Sequence, residues 1–257
     1  MFGDSAAYER FMAPWSRAAG AVFLDWLAPP TNAHWLDVGC GTGVFTQLLM
    51  ERCLPTEVFA IDPVRAQIDR ARHGTRTKKA TFQIADAQSL PFVSRSFDII
   101  VSALVLNFIP DRDRALAEMR RVARADGTVA AYVWDFGNEL SPSGPFRTAI
   151  RHSGFELPEI PGASQSSLDA LRSIFEQAGL VEIATRTIDV TVPFADFGDF
   201  WRAQTSSHSP TTRMIAGLSA TDRAKLAETV RCRLPVSSGG SIRYAARANA
   251  IKARAAG

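Results

Sequence analysis

Apolar residues recur at steps of three and four from Tyr8 through Phe11, Met12, Trp15, Ala19, Val22, Phe23 and Trp26. That spacing puts them on one face of a helix, and the pattern predicts an amphipathic helix over residues 5–28. Pro14 falls inside it and is expected to break or kink its first turns; Pro29-Pro30 ends it. The period then changes. Residues 35–38, 57–62, 80–85, 97–104 and 129–134 are short, apolar, β-prone runs separated by stretches of helical period. Near-continuous apolar strands alternating with helices predict a parallel sheet covered on both faces, with right-handed crossovers. The turn Ala125-Asp126-Gly127 is expected to lead into the fifth run. Beyond residue 135 the alternation stops. Residues 136–166 are rich in Pro, Gly and Ser, with Phe136, Phe146 and Phe155 among them, and a connection that long is usually functional or mobile. A helix over 167–178, stopped by Gly179, precedes a long strand over 181–194. Phe194, Phe197, Phe200 and Trp201 cluster before a polar helix over 220–233, and 241–251 alternate as an antiparallel strand beside the preceding one.

The join between the first strand and the following helix carries the chemistry. Trp35-Leu36-Asp37-Val38 runs into Gly39-Cys40-Gly41-Thr42-Gly43, and Val44, Phe45, Leu48 and Leu49 begin an amphipathic stretch. Glycines at a strand–turn–helix junction let backbone approach a ligand closely, because no Cβ intervenes. A dinucleotide fingerprint would place its third glycine where Val44 stands, which disfavours a NAD(P) dehydrogenase. Asp37 precedes the first glycine by two; it could bind a ligand cation directly or through water, or brace the amides of the turn. The second strand ends in Asp62, about twenty residues on, where a carboxylate can accept both hydroxyls of a ribose. Asp62 can also cap the helix that Pro63 opens.

The chain of 257 residues is 46% hydrophobic, enough to bury a full core as one domain with insertions. Net charge is only +3. Arg112, Arg114, Arg120, Arg121 and Arg124 alternate with Asp111, Asp113 and Glu118, a pattern read as a solvated helix face and not a nucleic-acid footprint. Cys40, Cys53 and Cys232 show neither pairing nor metal spacing and fit a reduced, cytoplasmic protein. No apolar run is long enough to span a bilayer, and the first residues lack a signal peptide's basic and apolar regions.

The pattern D-x-G-x-G-x-G formed by Asp37, Gly39, Gly41 and Gly43 resembles the first motif of class I S-adenosylmethionine (SAM)-dependent methyltransferases. Tyr8-Glu9-Arg10-Phe11-Met12, Trp15-Ser16-Arg17, Leu90-Pro91-Phe92, Ser96-Phe97-Asp98, Leu106-Asn107-Phe108-Ile109-Pro110-Asp111 and Ala130-Ala131-Tyr132-Val133-Trp134-Asp135 extend the likeness. They resemble the ubiquinone-biosynthesis-like (type 11) group of bacterial small-molecule methyltransferases. Ala13-Pro14 departs from it, where Gly-Arg is expected. The resemblance implies a Rossmann-like α/β fold: a seven-stranded, mostly parallel sheet with helices on both faces, the last strand antiparallel. Residues 1–257 then form a single domain: a cap helix (5–28), a SAM-binding core (34–135), and substrate-lid segments (136–166 and 194–238). It implies SAM as cofactor and S-adenosyl-L-homocysteine as product. The contacts implied are Tyr8 and Arg17 on the methionine carboxylate, the turn Asp37, Gly39, Cys40 and Gly41, Asp62 with Pro63 on the ribose, and Asp86 with Ala87 near the adenine. Ala103 would offer a backbone carbonyl to the ammonium. Asp98, at the start of its strand, reads as structural.

Transfer from a sulfonium needs alignment and desolvation more than catalytic groups. Asn107, past the fourth strand, is a candidate to orient an acceptor; His152 and His208 are the histidines of the lid segments and candidate bases. The aromatic lid suits a small, partly apolar organic acceptor. The chain lacks an Asn/Asp-Pro-Pro-aromatic run or Pro-Cys nucleophile after the fourth strand, G-x-S-x-G, and His or Cys metal spacings. These absences argue against nucleic-acid methylation, hydrolysis and a metal centre. The alternative from another class is a non-catalytic SAM-binding regulatory or assembly protein of the same fold.

Overall fold

The computed structural model describes residues 5–74, 80–205 and 210–256, with side chains from Phe11 onward except Pro210. His208 and the side chain of Tyr8 lie outside the described residues. In chain order the elements are α1 (Ser5–Leu27), β1 (His34–Val38), α2 (Val44–Cys53), β2 (Glu57–Asp62), α3 (Arg65–Gly74), β3 (Ala80–Ile84), β4 (Phe97–Ala103), α4 (Arg112–Val122) and β5 (Ala123–Trp134). Then come α5 (Gly144–His152), α6 (Leu168–Gln177), β6 (Leu180–Phe194), α7 (Phe197–Thr205), α8 (Pro210–Ala216), α9 (Ala220–Arg231) and β7 (Ile242–Ala255).

The strands form one seven-stranded sheet in the order β3-β2-β1-β4-β5-β7-β6. The first five pair in parallel, and β7 runs antiparallel between β5 and β6. Strand order reverses at β1, whose Trp35 pairs with Val58 of β2 on one side and Ile99 of β4 on the other. Crossovers to the left and right leave opposite faces there, so a crevice opens at the carboxyl ends of β1 and β4. One core joins α1 and α2 to the sheet through Trp15, Phe23, Phe45 and Tyr132; the other joins α4 and α6 through Met119, Leu116, Leu171 and Phe175.

Several expectations need correcting. Pro14 does not break α1; it sits on the exposed side, where water can meet the carbonyl it leaves unbonded. The turn at residues 125–127 is absorbed into β5, whose pairing with β4 jumps from Phe97–Ala123 to Ile99–Thr128 while Asp126 takes φ 58°. Such an irregularity inserts extra residues into one strand without ending it. Residues 136–166 hold α5 and a short 3-10 turn (Ala163–Gln165). Arg124 belongs to β5, not to the preceding helix. Nor is the arginine face merely solvated: Arg112 donates to the carbonyls of Asn107 and Ile109, Arg120 to that of Ala178, and Arg121 to those of Leu90 and Phe92. Asp98 is structural, accepting from His34 N at 2.8 Å and Arg124 Nη1 at 2.6 Å, at the sheet edge opposite the crevice.

No helix among the described residues is long and apolar enough to cross a membrane, and those residues hold no cluster of three metal-ligating side chains.

Candidate functional site

A cleft partly open to solvent, with about 650 Å³ of atom-free space counting that open solvent, lies in this crevice. Four parts of the chain line it: Met12, Ala13 and Ser16 of α1; Asp37 and residues 39–42 with Val44 and Phe45; Asp62 and Gln67; and Ala103, Leu104 and Val105 after β4.

The glycine turn is built for this place. Gly39, Gly41 and Gly43 have φ of 80°, 55° and 83°, the left-handed region that costs an L side chain roughly 1–2 kcal/mol. At Gly39 a Cβ would also come within 2.4 Å of Val105 Cγ1, whereas at Gly41 it would meet nothing within 4 Å. Gly39 therefore packs the turn onto the segment after β4, and Gly41 faces open cleft. The amides of Gly39 and Cys40 donate to Ile61 O at 2.8 and 2.9 Å, and Gly43 N to Cys40 O at 2.9 Å.

Asp37 is fully buried. Its Oδ2 accepts from Thr46 Oγ1 at 2.6 Å, and its Oδ1 has no hydrogen-bond partner. Burial pushes its carboxyl up to about 7; the Thr46 bond opposes this and the neighbouring Asp62 charge adds to it. Of the roles open to Asp37, bracing the turn falls to Ile61 O and to Asp62. Asp62 accepts from Gly41 N at 3.1 Å through Oδ2 and from Val64 N at 2.9 Å through Oδ1. Its carboxyl is raised by burial, against those two amide bonds. Each oxygen keeps a further acceptor site.

The other expected contacts divide. Gly39, Cys40, Gly41 and Ala103 line the cleft with the two acids; Pro63, Asp86 and Ala87 do not. Asp86 is exposed and accepts from Gln88 N at 2.9 Å. Arg17 points to the exposed edge and pairs with Glu51 at 2.8 Å. Asn107 is buried away from the lining, its Nδ2 donating to Pro161 O at 3.1 Å, so that it holds the 158–165 segment. His152 is exposed at the end of α5, with Nδ1 2.7 Å from Thr148 O. Among the described residues the structure brings neither Asn107 nor His152 to the cleft.

Sequence reasoning missed the contributions of Met12, Ala13, Ser16, Thr42 and Gln67. Only Gln67 left a signal, a polar residue on the same helix face as buried Ile68 and Ala71. Leu104 turns out of β4 with φ 62°, a strained conformation of the kind that collects at functional sites.

Residues 36–131 match the family model described as a methyltransferase domain. The biotin biosynthesis bifunctional protein BioHC of Cellvibrio japonicus is 36% identical over 137 residues, 53% of this chain and 26% of that protein. Malonyl-(acyl-carrier protein) O-methyltransferase of Geobacter sulfurreducens is 30% identical over 147 residues, 57% of this chain and 53% of that one. The match thus spans about a quarter to a half of these curated relatives. Phosphoethanolamine N-methyltransferase 2 of Haemonchus contortus, solved with phosphomonomethylethanolamine and S-adenosylhomocysteine, superposes with a TM-score of 0.58 at 16% identity, over 98% of this chain and 57% of that one. At that identity the likeness is one of fold.

Proposed function

We propose, from the premise that this chain has a class I SAM-dependent methyltransferase fold and carries a methyltransferase domain, that it transfers a methyl group from SAM to a small organic acceptor. The observation that carries this reading is Asp37, a buried acid with one unpartnered oxygen beside an open glycine turn. Among the described residues the cleft lining holds Asp37 and Asp62 and no basic side chain. A ligand bearing an ammonium and a sulfonium matches that charge. A dinucleotide pyrophosphate would set two negative charges against the same acids.

In this reading Asp37 Oδ1 holds the ammonium, with the Ala103 carbonyl alongside, and Asp62 accepts from the ribose. The hydroxyls of Ser16 and Thr42 line the cleft without a protein hydrogen bond among the described residues and can donate to the methionine carboxylate. Arg17 reaches it only by leaving Glu51, which costs little because an exposed pair is worth about 0–1 kcal/mol. Tyr8, outside the described side chains, keeps the role the resemblance implies, Pro63 stays a candidate beside the ribose, and Asp86 and Ala87 remain candidates for the outer, adenine end. Bound SAM supplies an activated methyl on sulfur for in-line displacement. Met12, Ala13 and Phe45 give that cleft an apolar lining, and water excluded there on binding strengthens every charge interaction inside. Among the described residues no histidine lines the cleft, and in this reading orientation and desolvation carry the rate.

Thermal denaturation with S-adenosylhomocysteine, and with NADH as control, tests this. A ligand at about one hundred times its Kd adds roughly 2.7 kcal/mol, on the order of 5–10 °C for a chain of this size. A shift with the homocysteine nucleoside alone is expected; no shift, or one with NADH instead, would sink the reading.

A further inference from the structure

We infer that residues 154–166 form a strap that Asn107 latches onto the segment after β4, and that a ligand in the cleft tightens the latch. The choice of ligand rests on the cofactor reading above.

Ser166 anchors one end of the strap. Its Oγ accepts from Phe136 N and Gly137 N at 3.2 and 3.3 Å, and its carbonyl accepts from Asn249 Nδ2 at 2.8 Å. At the other end Gly154, just past α5, takes φ 74° with open space where a Cβ would stand, as a pivot requires. Between the two, side chains from elsewhere in the fold hold strap carbonyls. Arg147 of α5 donates to Pro158 O at 2.8 Å, and Asn107 Nδ2 to Pro161 O at 3.1 Å. The fit is closest at Gly162 (φ 65°): a Cβ there would lie 2.2 Å from Asn107 O, which Arg112 Nη1 also meets at 3.2 Å. Only a glycine lets the strap down onto Asn107.

The latch carries a cost. A carbonyl is met only by the amino group of a carboxamide, so Asn107 Oδ1 is left buried, with no partner among the described residues. An open strap loses the bond to Pro161 O but lets water reach Oδ1. The two positions then stand close enough in free energy for a ligand to choose between them.

The cleft makes that choice. Asn107 sits in a single turn, Leu106–Phe108, closed by Phe108 N on Val105 O at 2.7 Å. Val105 lines the cleft and packs against Gly39, and Leu104 beside it holds φ 62°. A ligand resting on Leu104 and Val105 confines this turn and with it the Asn107 amide, two residues from the wall. By linkage, latch and ligand stabilise each other by the same factor.

The test is hydrogen exchange of the strap amides with and without S-adenosylhomocysteine, paired with calorimetric titration of the same ligand. It uses the full chain as wild type, Asn107→Ala and Gly162→Ala. The variants break the latch from opposite sides, one by removing the amide, the other by wedging a methyl against Asn107 O, and neither residue lines the cleft. In wild type the ligand should slow exchange across 155–166 by about fivefold or more. In both variants the strap should exchange faster, the ligand should no longer slow it, and affinity should fall by about the same factor. Unliganded melting curves check folding. A wild-type strap that exchanges alike with and without bound ligand would overturn the inference, as would variants that bind as wild type does. So would lost affinity with the ligand's effect on the strap intact, which places the damage in the cleft itself, and so would failure of both variants to fold, which makes the contact part of the core. If wild type does not bind S-adenosylhomocysteine at all, the cofactor reading falls and takes this inference with it.

Discussion

Asp37 is a carboxyl made responsive near neutral pH by where it lies. Burial raises it from 3.8 to about 7, so the folded state holds its proton more tightly than the unfolded chain does. Its contribution to stability is therefore full below about pH 4 and is lost as pH rises through about 7. Asp37→Asn removes that titration: the difference in unfolding free energy between wild type and variant should slope across pH 4–7 and flatten above it. Parallel denaturant-derived curves would show that Asp37 does not titrate there. A ligand ammonium reverses the preference, because it pairs with the charged carboxylate; S-adenosylhomocysteine, which carries that ammonium, should bind more tightly as pH rises from about 6 to 8 in wild type and not in Asp37→Asn. The acids of this site were legible in the sequence because strand ends and glycines punctuate it. Ser16 and Met12 were not, and Gln67 left only its polarity on a helix face, since which face of α1 or α3 meets the cleft depends on tertiary packing that a periodic pattern leaves open. The same holds for Arg17 and Asn107, whose partners Glu51 and Pro161 come from other segments.

The turn between β1 and α2 separates stability from binding within a few residues. At Gly39 an added methyl meets both a left-handed backbone and Val105 at 2.4 Å, while at Gly41 it meets the backbone penalty alone and projects into open space. Gly39→Ala should destabilise by about 2–4 kcal/mol, backbone strain plus overpacking. Gly41→Ala should cost about 1–2 kcal/mol yet weaken S-adenosylhomocysteine binding tenfold or more, since the methyl occupies ligand space. Equilibrium unfolding and calorimetry on both variants check this, and comparable stability losses with unchanged Gly41→Ala affinity would sink it. Strands β1 to β4 were readable to within a residue or two, as their apolar runs are short, β1 ending at Gly39 and β2 lying between Pro55 and Pro63. The 123–128 stretch was not: a turn sequence and a bulged strand share the same residues, and only the pairing with β4 decides between them. Helix α5 was missed for a related reason. Proline and glycine at its start suggest a loop, but Pro145 sits in the first turn, where its missing N–H is not needed.

Helix α1 ties the two halves of the sheet together and to the cleft. Trp15, 1% exposed, meets Trp134 of β5 edge-on at 6.2 Å, Phe194 of β6 at 6.4 Å and Tyr244 of β7 at 5.8 Å. Further along, Gly20 leaves room for Leu48 and Phe45 of α2, where a Cβ would lie 2.9 and 3.0 Å away. Lys252 Nζ of β7 donates to Trp26 O at 2.9 Å and lies 4.7 Å over its ring. The residues flanking Trp15, namely Met12, Ala13 and Ser16, face the cleft. One indole thus anchors on the β5–β7–β6 side the helix that forms a wall of a site built on β1, β2 and β4. Trp15→Ala removes a large buried side chain, a loss of about 3–5 kcal/mol that should lower the melting temperature by roughly 5–15 °C. Because the same helix turn carries the wall, binding of S-adenosylhomocysteine, measured well below the new melting point, should weaken at least threefold. Trp26→Ala is the control: it also loosens α1 from β7 but lies more than two turns from the cleft, so its affinity should stay near wild type at a smaller stability loss. If Trp15→Ala loses stability but binds as wild type does, α1 is a core helix and the cleft closes without it. If both variants lose affinity equally, the wall depends on the whole helix and not on the Trp15 anchor.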